Sequence, residues 1–359
     1  MTTNIFQKAA DGFDRFALRR FQKMRELLDG KIRCTPLIYS DFASQLTGHR
    51  IFLKAENLQV TNSFKIRSAF GGLLPRLTEA RKYGVVTSSS GNFAQAIAYA
   101  GRELRVPITV VMMRRSAPNK VEKAKRLGAQ IVFCTDDFAE RLELVEKLSR
   151  EEGKILVHSF DDPFTIQGNG SLGFELLKQA PKVDIVFVPT SGGGLLSGVS
   201  AVMKQSGARA LIVGVQTEAV PSLQTSLEHG KPTLVPNGST IADGLVATKP
   251  GTLNFELVKR FVDQVVLVSD REITDALKLV VMEDKLVVEP SAAAAVAGAI
   301  KYLNGKPQAR RCNIVVVLTG GNIAADRLRD LVFGPVESTP TNITSAPTPY
   351  PFSAEPSRD

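Results

Sequence analysis

The sequence is poor in the residue types that carry disulfides, metal sites and hydrolytic triads. It has three cysteines and three histidines in 359 residues. Cys34, Cys134 and Cys312 are widely spaced and form no CxxC or Cys/His ligand pattern, so we interpret them as buried thiols. No ordering of histidine, aspartate and serine suggests a catalytic triad. These absences argue against a disulfide framework, a cysteine-based metal site and a triad hydrolase.

Long apolar runs and targeting signals are also lacking. The start of the chain has no apolar segment before a small-residue cleavage site, and no later run is long and apolar enough to span a bilayer. The formal net charge is +9, but the basic residues are scattered and form no patch interleaved with aromatics. The sequence therefore predicts a cytoplasmic protein with no membrane or nucleic-acid partner.

Most of the chain alternates between apolar, strand-like runs and helix-like segments. An amphipathic helix is predicted for residues 14–28. Predicted strands cover residues 51–54, 84–87, 108–112, 130–133, 155–157, 184–189, 210–215, 265–268 and 314–318. Nearly continuous apolar strands of this kind are typical of sheets that are buried on both faces. The alternation predicts an α/β fold with mostly parallel sheets flanked by helices.

Four short motifs occur in order along the chain. Asn62-Ser63-Phe64-Lys65-Ile66-Arg67 contains a lysine, whose amine can form a Schiff base with an aldehyde. Ser191-Gly192-Gly193-Gly194-Leu195 has glycines that bare consecutive backbone N–H groups, which can hold a phosphate. Residues 88–95 and 318–322 each follow an apolar run, where α/β proteins place their ligands. Together these motifs suggest a bound aldehyde that carries a phosphate.

With these motifs the sequence resembles the fold type II pyridoxal-phosphate enzymes, the tryptophan synthase β-like family, and within it the serine/threonine dehydratase and serine racemase branch. The resemblance covers roughly residues 30–330. It implies pyridoxal 5'-phosphate as cofactor and two open, twisted, mostly parallel sheets, with a small lobe inserted in a large one. We map the large lobe to residues 1–80 plus 161–333, the small lobe to residues 81–160, and a Pro/Ser/Thr-rich tail to residues 334–359.

The resemblance also implies roles for individual residues. Lys65 is expected to bind the cofactor covalently and to act as the catalytic base, with Phe64 beside it in the cofactor site. Thr319 is expected near the pyridine nitrogen, where a neutral hydroxyl leaves the ring a weaker electron sink than a carboxylate would. The other expected contacts are Asn92 to the cofactor ring, Ser89, Ser90, Gly91 and Asn92 to the substrate, and Gly192, Gly193, Gly194 and Leu195 to the phosphate.

Ser90 separates two candidate reactions. Dehydratases of this family commonly have alanine before the Gly-Asn pair, whereas serine racemases have a serine that can exchange a proton on the face opposite the lysine. Our main hypothesis is a dehydratase (ammonia-lyase) that converts a β-hydroxy-α-amino acid, such as L-threonine or L-serine, to a 2-oxo acid and ammonia. The alternative is an amino-acid racemase with Ser90 as a second catalytic residue. A β-replacement synthase and a non-catalytic ligand-binding module are further rivals.

Several positions depart from the family pattern. Phe93 replaces the usual histidine after Ser-Gly-Asn, and Phe160 lies near a position that is often asparagine. The glycine loop begins with Ser191 in place of a first glycine, which leaves room for a hydroxyl contact. Gln216 replaces a glutamate that helps to bind a divalent cation in related enzymes, and the aspartate expected soon afterward is missing. We therefore predict no metal site.

The protonation state of Lys65, two further segments, the oligomeric state and the substrate remain to be considered. Lys65 must react as the neutral amine, which either desolvation or a nearby cation, Arg67 or Lys54, would favour. Residues 241–244 and 289–291 also match the family and are expected to be structural rather than catalytic. The family often forms dimers, so a homodimer is one candidate, and the oligomeric state stays open. The preferred substrate stays open among threonine, serine, phenylserine and hydroxyaspartate.

Overall fold

A computed structural model of the protein describes residues 14–114, 116, 118–135, 138–305 and 310–334. These residues form ten β-strands and fourteen α-helices. The strands are β1 Leu37–Tyr39, β2 Arg50–Ala55, β3 Val85–Ser88, β4 Ile108–Met113, β5 Gln130–Cys134, β6 Ile155–Leu156, β7 Ile185–Pro189, β8 Leu211–Thr217, β9 Gln264–Val268 and β10 Asn313–Leu318. The helices are α1 Leu18–Leu28, α2 Asp41–Thr47, α3 Lys65–Leu73, α4 Leu77–Tyr83, α5 Asn92–Leu104, α6 Pro118–Arg126, α7 Phe138–Glu151, α8 Pro163–Gln179, α9 Gly194–Gln205, α10 Ser222–His229, α11 Thr252–Phe261, α12 Asp270–Met282, α13 Pro290–Gly305 and α14 Ala325–Phe333.

The larger sheet has six strands in the order β1-β2-β10-β7-β8-β9. All neighbours run parallel except β1, which pairs antiparallel with β2 at the edge. At its centre, Val316 of β10 pairs with Leu53 on one side and Phe187 on the other. Every residue of β7 is buried, and so is all of β10 except its first residue. Burial on both faces is what the continuous apolar runs predicted.

The smaller sheet has four parallel strands in the order β5-β4-β3-β6. Its central strand β3 places Val86 opposite Thr109 on one side and Leu156 on the other. The four strands are consecutive in the chain, whereas the larger sheet is built from strands that precede and follow them. The smaller sheet is therefore an insertion into the larger unit. The lobe boundaries at residues 80 and 160 stay a prediction.

Glycines allow three helices to pack backbone against backbone. A Cβ on Gly168 of α8 would lie 2.3 Å from the carbonyl oxygen of Arg67 in α3. A Cβ on Gly198 of α9 would lie 2.6 Å from the carbonyl oxygen of Ile166, again in α8. Only glycine permits such approaches. The helix α8 therefore fixes α3 and α9 relative to each other, and these two helices begin at Lys65 and Gly194.

Most elements agree with the sequence-based expectations, and two features do not. All nine predicted strands are present within two residues at each end, and α1 buries Phe21, Met24 and Leu28 as an amphipathic helix should. The short strand β1 was not predicted, because three residues carry too little periodicity. The expectation of a buried Cys34 is wrong: it is exposed in the loop before β1, whereas Cys134 and Cys312 are buried.

Two expectations lie beyond what the fold tests. The predicted tail, residues 334–359, falls outside the described residues except for Gly334. Within the described ranges, no helix is long and apolar enough to cross a membrane. The cytoplasmic location stays a prediction, and the oligomeric state stays open.

Candidate active site

A cavity of about 240 Å³ lies where loops from both sheets converge. These loops follow the carboxyl ends of β3, β6, β7 and β10, as expected for a ligand site in an α/β protein. Ten of the site residues predicted from the sequence line the cavity: Phe64, Lys65, Ser89, Gly91, Asn92, Gly192, Gly193, Gly194, Leu195 and Thr319. Three of the four motifs contribute at least two residues each, and the fourth contributes Thr319.

The lysine motif is held in a strained turn by the last motif. Thr61 and Asn62 both adopt left-handed backbone conformations, with φ values of 62° and 56°. The N–H of Gly321 donates to the carbonyl oxygen of Asn62 at 2.9 Å, and the N–H of Phe64 donates to that of Thr319 at 3.0 Å. These backbone bonds join segments that are more than 250 residues apart and so over-determine the strained turn. Immediately after the turn, α3 begins with the lysine.

The Lys65 amine lies in a desolvated setting. Its Nζ is 4.9 Å from the centre of the Phe64 ring and 5.9 Å from that of Phe93. Desolvation by burial lowers the pKa of Lys65 from 10.5 to about 8, against an opposing effect of the Glu289 carboxylate. A lysine with this pKa is partly neutral at physiological pH, which a nucleophile or base requires.

The other route considered from the sequence, a nearby cation, does not operate. Arg67 donates to Glu56 at 2.7 and 2.8 Å and to Glu175 at 2.7 Å. Lys54 donates to Glu175 at 2.5 Å. Burial alone would raise the pKa of Glu56, but the Arg67 guanidinium lowers it below the usual value. Both cations are thus matched by carboxylates in a buried network, and neither perturbs Lys65.

The glycine loop forms a turn between β7 and α9 that is shaped for an anion. The N–H of Ser197 donates to the carbonyl of Gly193 at 2.9 Å, so the N–H groups of the preceding first turn have no helical acceptor. Gly193 has φ of 97°, and a Cβ on Gly192 would lie 2.5 Å from the Phe160 ring. Only glycine fits at these two positions. The free N–H groups and the positive end of the helix dipole suit a phosphate.

Phe160 has a fixed position beside this loop. The ring of His158 contacts it edge-on, with 4.5 Å between ring centres. The Nδ1 of His158 accepts the backbone N–H of Phe160 at 3.3 Å and that of Asp161 at 2.9 Å. Burial lowers the pKa of His158, so the ring is neutral and carries its proton on Nε2. The aromatic side chain therefore forms one wall of the cavity.

Glu289 is a cavity residue that the sequence did not indicate as functional. It was expected to be structural, yet its carboxyl lines the cavity and accepts the Nδ2 of Asn92 at 2.8 and 3.1 Å. Burial raises the pKa of Glu289 from 4.5 to about 7, with the Asn92 hydrogen bond acting in the opposite direction. The sequence did contain a signal for this role, since Glu289 is a carboxyl group directly before Pro290 and an apolar helix. Such a carboxyl group is buried with the helix, and buried carboxyl groups with perturbed pKa values are typical of functional sites.

Asn92 is fixed from its other side as well. Its Oδ1 accepts the Nδ2 of Asn322 at 2.9 Å, and the Oδ1 of Asn322 accepts the Nζ of Lys123 at 2.8 Å. This chain of hydrogen bonds runs from α6 to Glu289. It joins the motif of residues 88–95 to the motif of residues 318–322 and sets the orientation of the Asn92 amide.

Ser90 is placed differently from its neighbours. Its Oγ lies 2.7 Å from the Oγ of Ser116, in the loop after β4. In the motif of residues 88–95, Ser89, Gly91, Asn92 and Phe93 line the cavity and Ser90 does not. Its role in substrate binding or proton transfer stays a prediction.

Gln216, at the position where related enzymes have a metal-binding glutamate, has its side-chain amide engaged in hydrogen bonds within the protein. Gln216 accepts the backbone N–H groups of Leu223 at 3.0 Å and Gln224 at 3.3 Å, and donates to the Oγ of Ser222 at 3.2 Å. Among the described residues, no group of three or more His, Cys, Asp or Glu side chains is arranged to hold a metal ion. The lack of a metal site stays a prediction.

Comparison with known proteins identifies the class. Residues 28–320 match the family model described as pyridoxal-phosphate dependent enzyme. The chain is 38% identical over 315 residues to an L-threonine ammonia-lyase of Thermotoga maritima, which covers 88% of this chain and 78% of the relative. The fold is similar to that of maize serine racemase, with TM-score 0.84 and 31% identity over 87% of this chain and 95% of that one. It is also similar to the processed form of threonine deaminase isoform 2 from Solanum lycopersicum, with TM-score 0.82 and 30% identity over 88% and 87%.

The chain belongs to the family of pyridoxal-phosphate dependent enzymes. Its fold is the fold type II architecture, with similarity to threonine deaminase and serine racemase structures, so the predicted fold and cofactor are confirmed. The residues present fit the cofactor. Lys65 can take the aldehyde, the first turn of α9 can take the phosphate, and the buried Oγ1 of Thr190 lines the cavity without a hydrogen-bond partner among the described residues. Such a polar atom calls for a polar group of a ligand.

Proposed function

We propose that this protein is a pyridoxal-phosphate dependent ammonia-lyase that converts a β-hydroxy-α-amino acid, with L-threonine or L-serine as the first candidates, to a 2-oxo acid and ammonia. The observation that carries the proposal is the convergence of Lys65, the glycine loop and the Ser89–Asn92 segment in one cavity. Its curated relatives, among them the Thermotoga maritima protein, are named L-threonine ammonia-lyases or dehydratases.

The cofactor, when bound, supplies an electron sink for the charge that develops at the α-carbon of the amino acid. Lys65 would hold the cofactor until the amine of the substrate displaces it, and its freed Nζ would then remove the α-proton. The lowered pKa of Lys65, about 8, supports this role because a base must be available in its neutral form near the working pH. The rings of Phe64 and Phe93 exclude water from the amine.

The substrate carboxylate is proposed to bind at the start of α5. Gly91 precedes this helix and Asn92 is its first residue. The Oγ of Ser89 accepts the N–H of Gly91 at 3.3 Å, which leaves the hydroxyl proton of Ser89 available to a ligand in the cavity. A helix N-terminus with free N–H groups favours an anion. This placement puts the substrate between α5 and Lys65.

The departing β-hydroxyl needs a proton, and Glu289 is proposed to supply it. Two carboxyl groups of the described residues line the cavity, those of Asp243 and Glu289. Asp243 is paired with Lys120 at 2.7 Å, whereas the pKa of Glu289 is raised to about 7, so its carboxyl carries a proton over part of the physiological range. The hydroxyl leaves as water with the proton of Glu289, the α-proton stays on Lys65, and its later return to Glu289 restores both groups. Hydrolysis of the released unsaturated amine then consumes one water and yields the 2-oxo acid and ammonia.

An amino-acid racemase is the second candidate, because the similar folds include a serine racemase. A racemase needs a second acid-base group on the face opposite the lysine. Ser90 was the residue expected to serve, and its Oγ hydrogen-bonds with Ser116 instead of lining the cavity. This position favours elimination over racemisation.

A proton NMR time course in deuterated water would test the proposal. The enzyme with added cofactor is incubated separately with L-threonine, L-serine, L-phenylserine and L-hydroxyaspartate, and the remaining amino acid is resolved by chirality. Formation of a 2-oxo acid with little D-isomer is expected. Accumulation of deuterated D-amino acid would establish the racemase, and no reaction with any of the four would refute both.

Two variants give the controls. Lys65→Ala should abolish turnover and the mass increase that borohydride reduction produces when the cofactor is covalently attached. Lys31→Ala removes an exposed lysine and should change neither. Full activity of Lys65→Ala would overturn the assignment of the base. The candidate homodimer can be checked on the same preparation by analytical ultracentrifugation.

A further inference from the structure

Ser191, which stands at the first position of the phosphate-binding turn, has a hydroxyl whose proton is directed by its surroundings. Its Oγ accepts the backbone N–H of Ala247 at 3.0 Å. Ser191 is one of the residues that line the cavity, and its hydroxyl donates to none of the described residues. A serine hydroxyl has one proton and two acceptor sites, so an N–H that occupies one acceptor site leaves the proton free for another partner. We propose that Ser191 donates this proton to the phosphate of the bound cofactor.

The segment that orients Ser191 is itself held by two buried side chains. The Oγ of Ser222 donates to the carbonyl oxygen of Ala247 at 2.6 Å, and the Nε2 of Gln216 donates to the Oγ of Ser222 at 3.2 Å. Both side chains are fully buried. The Oε1 of Gln216 accepts two backbone N–H groups at the start of α10, so the amide oxygen must face the helix and its NH₂ must face Ser222.

This orientation decides where the proton of Ser222 points. Because the amide of Gln216 donates to the hydroxyl, the single hydroxyl proton has to turn toward Ala247. The residue Ala247 then presents its carbonyl to Ser222 and its N–H to Ser191. Gln216 and Ser222 are therefore positioning residues: they act on the phosphate only through Ala247 and Ser191. The inference rests on the cofactor of the family and not on the substrate proposed above.

The other side of the turn has a separate anchor. The N–H of Gly251 and the Nδ2 of Asn254 both donate to the carbonyl oxygen of Gly192 at 3.0 Å. The turn therefore keeps its backbone shape when the hydroxyl of Ser191 is removed. Loss of that hydroxyl should subtract one contact to the phosphate and leave the N–H cradle intact.

The test measures how tightly the cofactor-free full-length enzyme binds pyridoxal 5'-phosphate and, in parallel, pyridoxal, which lacks the phosphate. Ser191→Ala should weaken binding of pyridoxal 5'-phosphate about tenfold, the lower range for a hydrogen bond to a charged group, and leave pyridoxal binding unchanged. The phosphorus NMR resonance of the bound cofactor should shift. Unchanged pyridoxal binding also shows that the variant is folded, and Ser191→Gly provides a second variant of the same kind.

The relay is tested with a double-mutant cycle. Ser222→Ala should weaken cofactor binding by about threefold, since the Ser191 hydroxyl is misdirected rather than removed. Combined with Ser191→Ala it should add nothing, because both changes act through one hydroxyl. Ser226→Ala is the matched control: it removes a buried hydroxyl of α10 that bonds to the backbone carbonyl of Ser222 and to the Thr233 N–H, and that bonds neither to the Ser222 hydroxyl nor to Ala247 or Ser191.

Two results would overturn the contact of Ser191 with the phosphate, and two others would overturn the relay. The first is wild-type affinity for pyridoxal 5'-phosphate with an unshifted phosphorus resonance in Ser191→Ala. The second is an equal loss of affinity for pyridoxal, which would mean a distorted site. For the relay, additive losses in the double variant, or an equal loss in Ser226→Ala, would show that Ser222 does not act through Ser191. None of these results depends on whether the enzyme eliminates or racemises, so the proposed reaction stands or fails separately.

Discussion

Replacement of Glu289 by glutamine should stabilise the cofactor-free enzyme at alkaline pH and not at acid pH. Burial raises the pKa of Glu289 from 4.5 to about 7 in the folded state. The folded protein therefore binds this proton more tightly than the unfolded chain, and the free energy of unfolding falls as pH rises from 4.5 through about 7. At about 1.4 kcal/mol for each pH unit, this interval corresponds to a loss of roughly 3 kcal/mol.

Glutamine has the shape of the protonated acid and keeps an acceptor for Asn92, but it never ionises. The unfolding free energies of Glu289→Gln and the wild type should agree near pH 4.5, and the variant should be more stable by roughly 3 kcal/mol at pH 8. Urea titrations followed by circular dichroism at a series of pH values measure the difference, in which other titrating groups cancel.

Glu272→Gln provides a control of opposite sign. Hydrogen bonds from Ser269 and Lys301 outweigh burial and lower the pKa of Glu272 below 4.5. The wild type therefore gains stability as pH rises from that lowered pKa to 4.5, and this variant should be less stable than wild type at every pH above 4.5. If the difference in unfolding free energy between Glu289→Gln and wild type is the same at every pH, Glu289 has the same pKa in the folded and unfolded states, and the reasoning about its burial is refuted. A stable carboxylic acid in the cavity at neutral pH is also what the proposed proton donor requires.

Three further measurements test other parts of the site. Ser90→Ala should keep elimination activity within a few-fold of wild type because Ser90 bonds to Ser116 and does not line the cavity, and a loss in kcat beyond about a hundredfold would contradict that reasoning. Gly193→Ala should weaken cofactor binding, since φ is 97° and the new Cβ would lie 2.9 Å from that of Asn254. Gly207→Ala, with φ of 82° in open space, should cost stability without changing cofactor affinity. The rate of covalent capture of pyridoxal 5'-phosphate by Lys65 should rise with pH about a midpoint near 8, and a midpoint above 10 in stopped-flow absorbance would show a fully solvated amine.

The motifs predicted most of the cavity because they lie at the carboxyl ends of strands. Parallel strands bring these ends to one edge of a sheet, so sequence order is enough to place Gly192 and Thr319 together. The contact of Asn92 with Glu289 could not be predicted in this way, since 197 residues separate them and neither position has a local pattern that names its partner. Side-chain direction was equally out of reach, as the contact of Ser90 with Ser116 shows.

The buried charges behind Lys65 explain how a helix can begin with the reactive residue and stay fixed. Arg67 lies two residues further along α3, which turns it to the opposite face of the helix. There its guanidinium joins Glu56, just after β2, to Glu175 of α8. Such a network stabilises little compared with an apolar core, but removal of one partner strands a buried charge. The network therefore fixes the geometry of α3 and leaves the cavity side of the helix to Lys65, whose pKa is lowered by desolvation and not by a neighbouring cation.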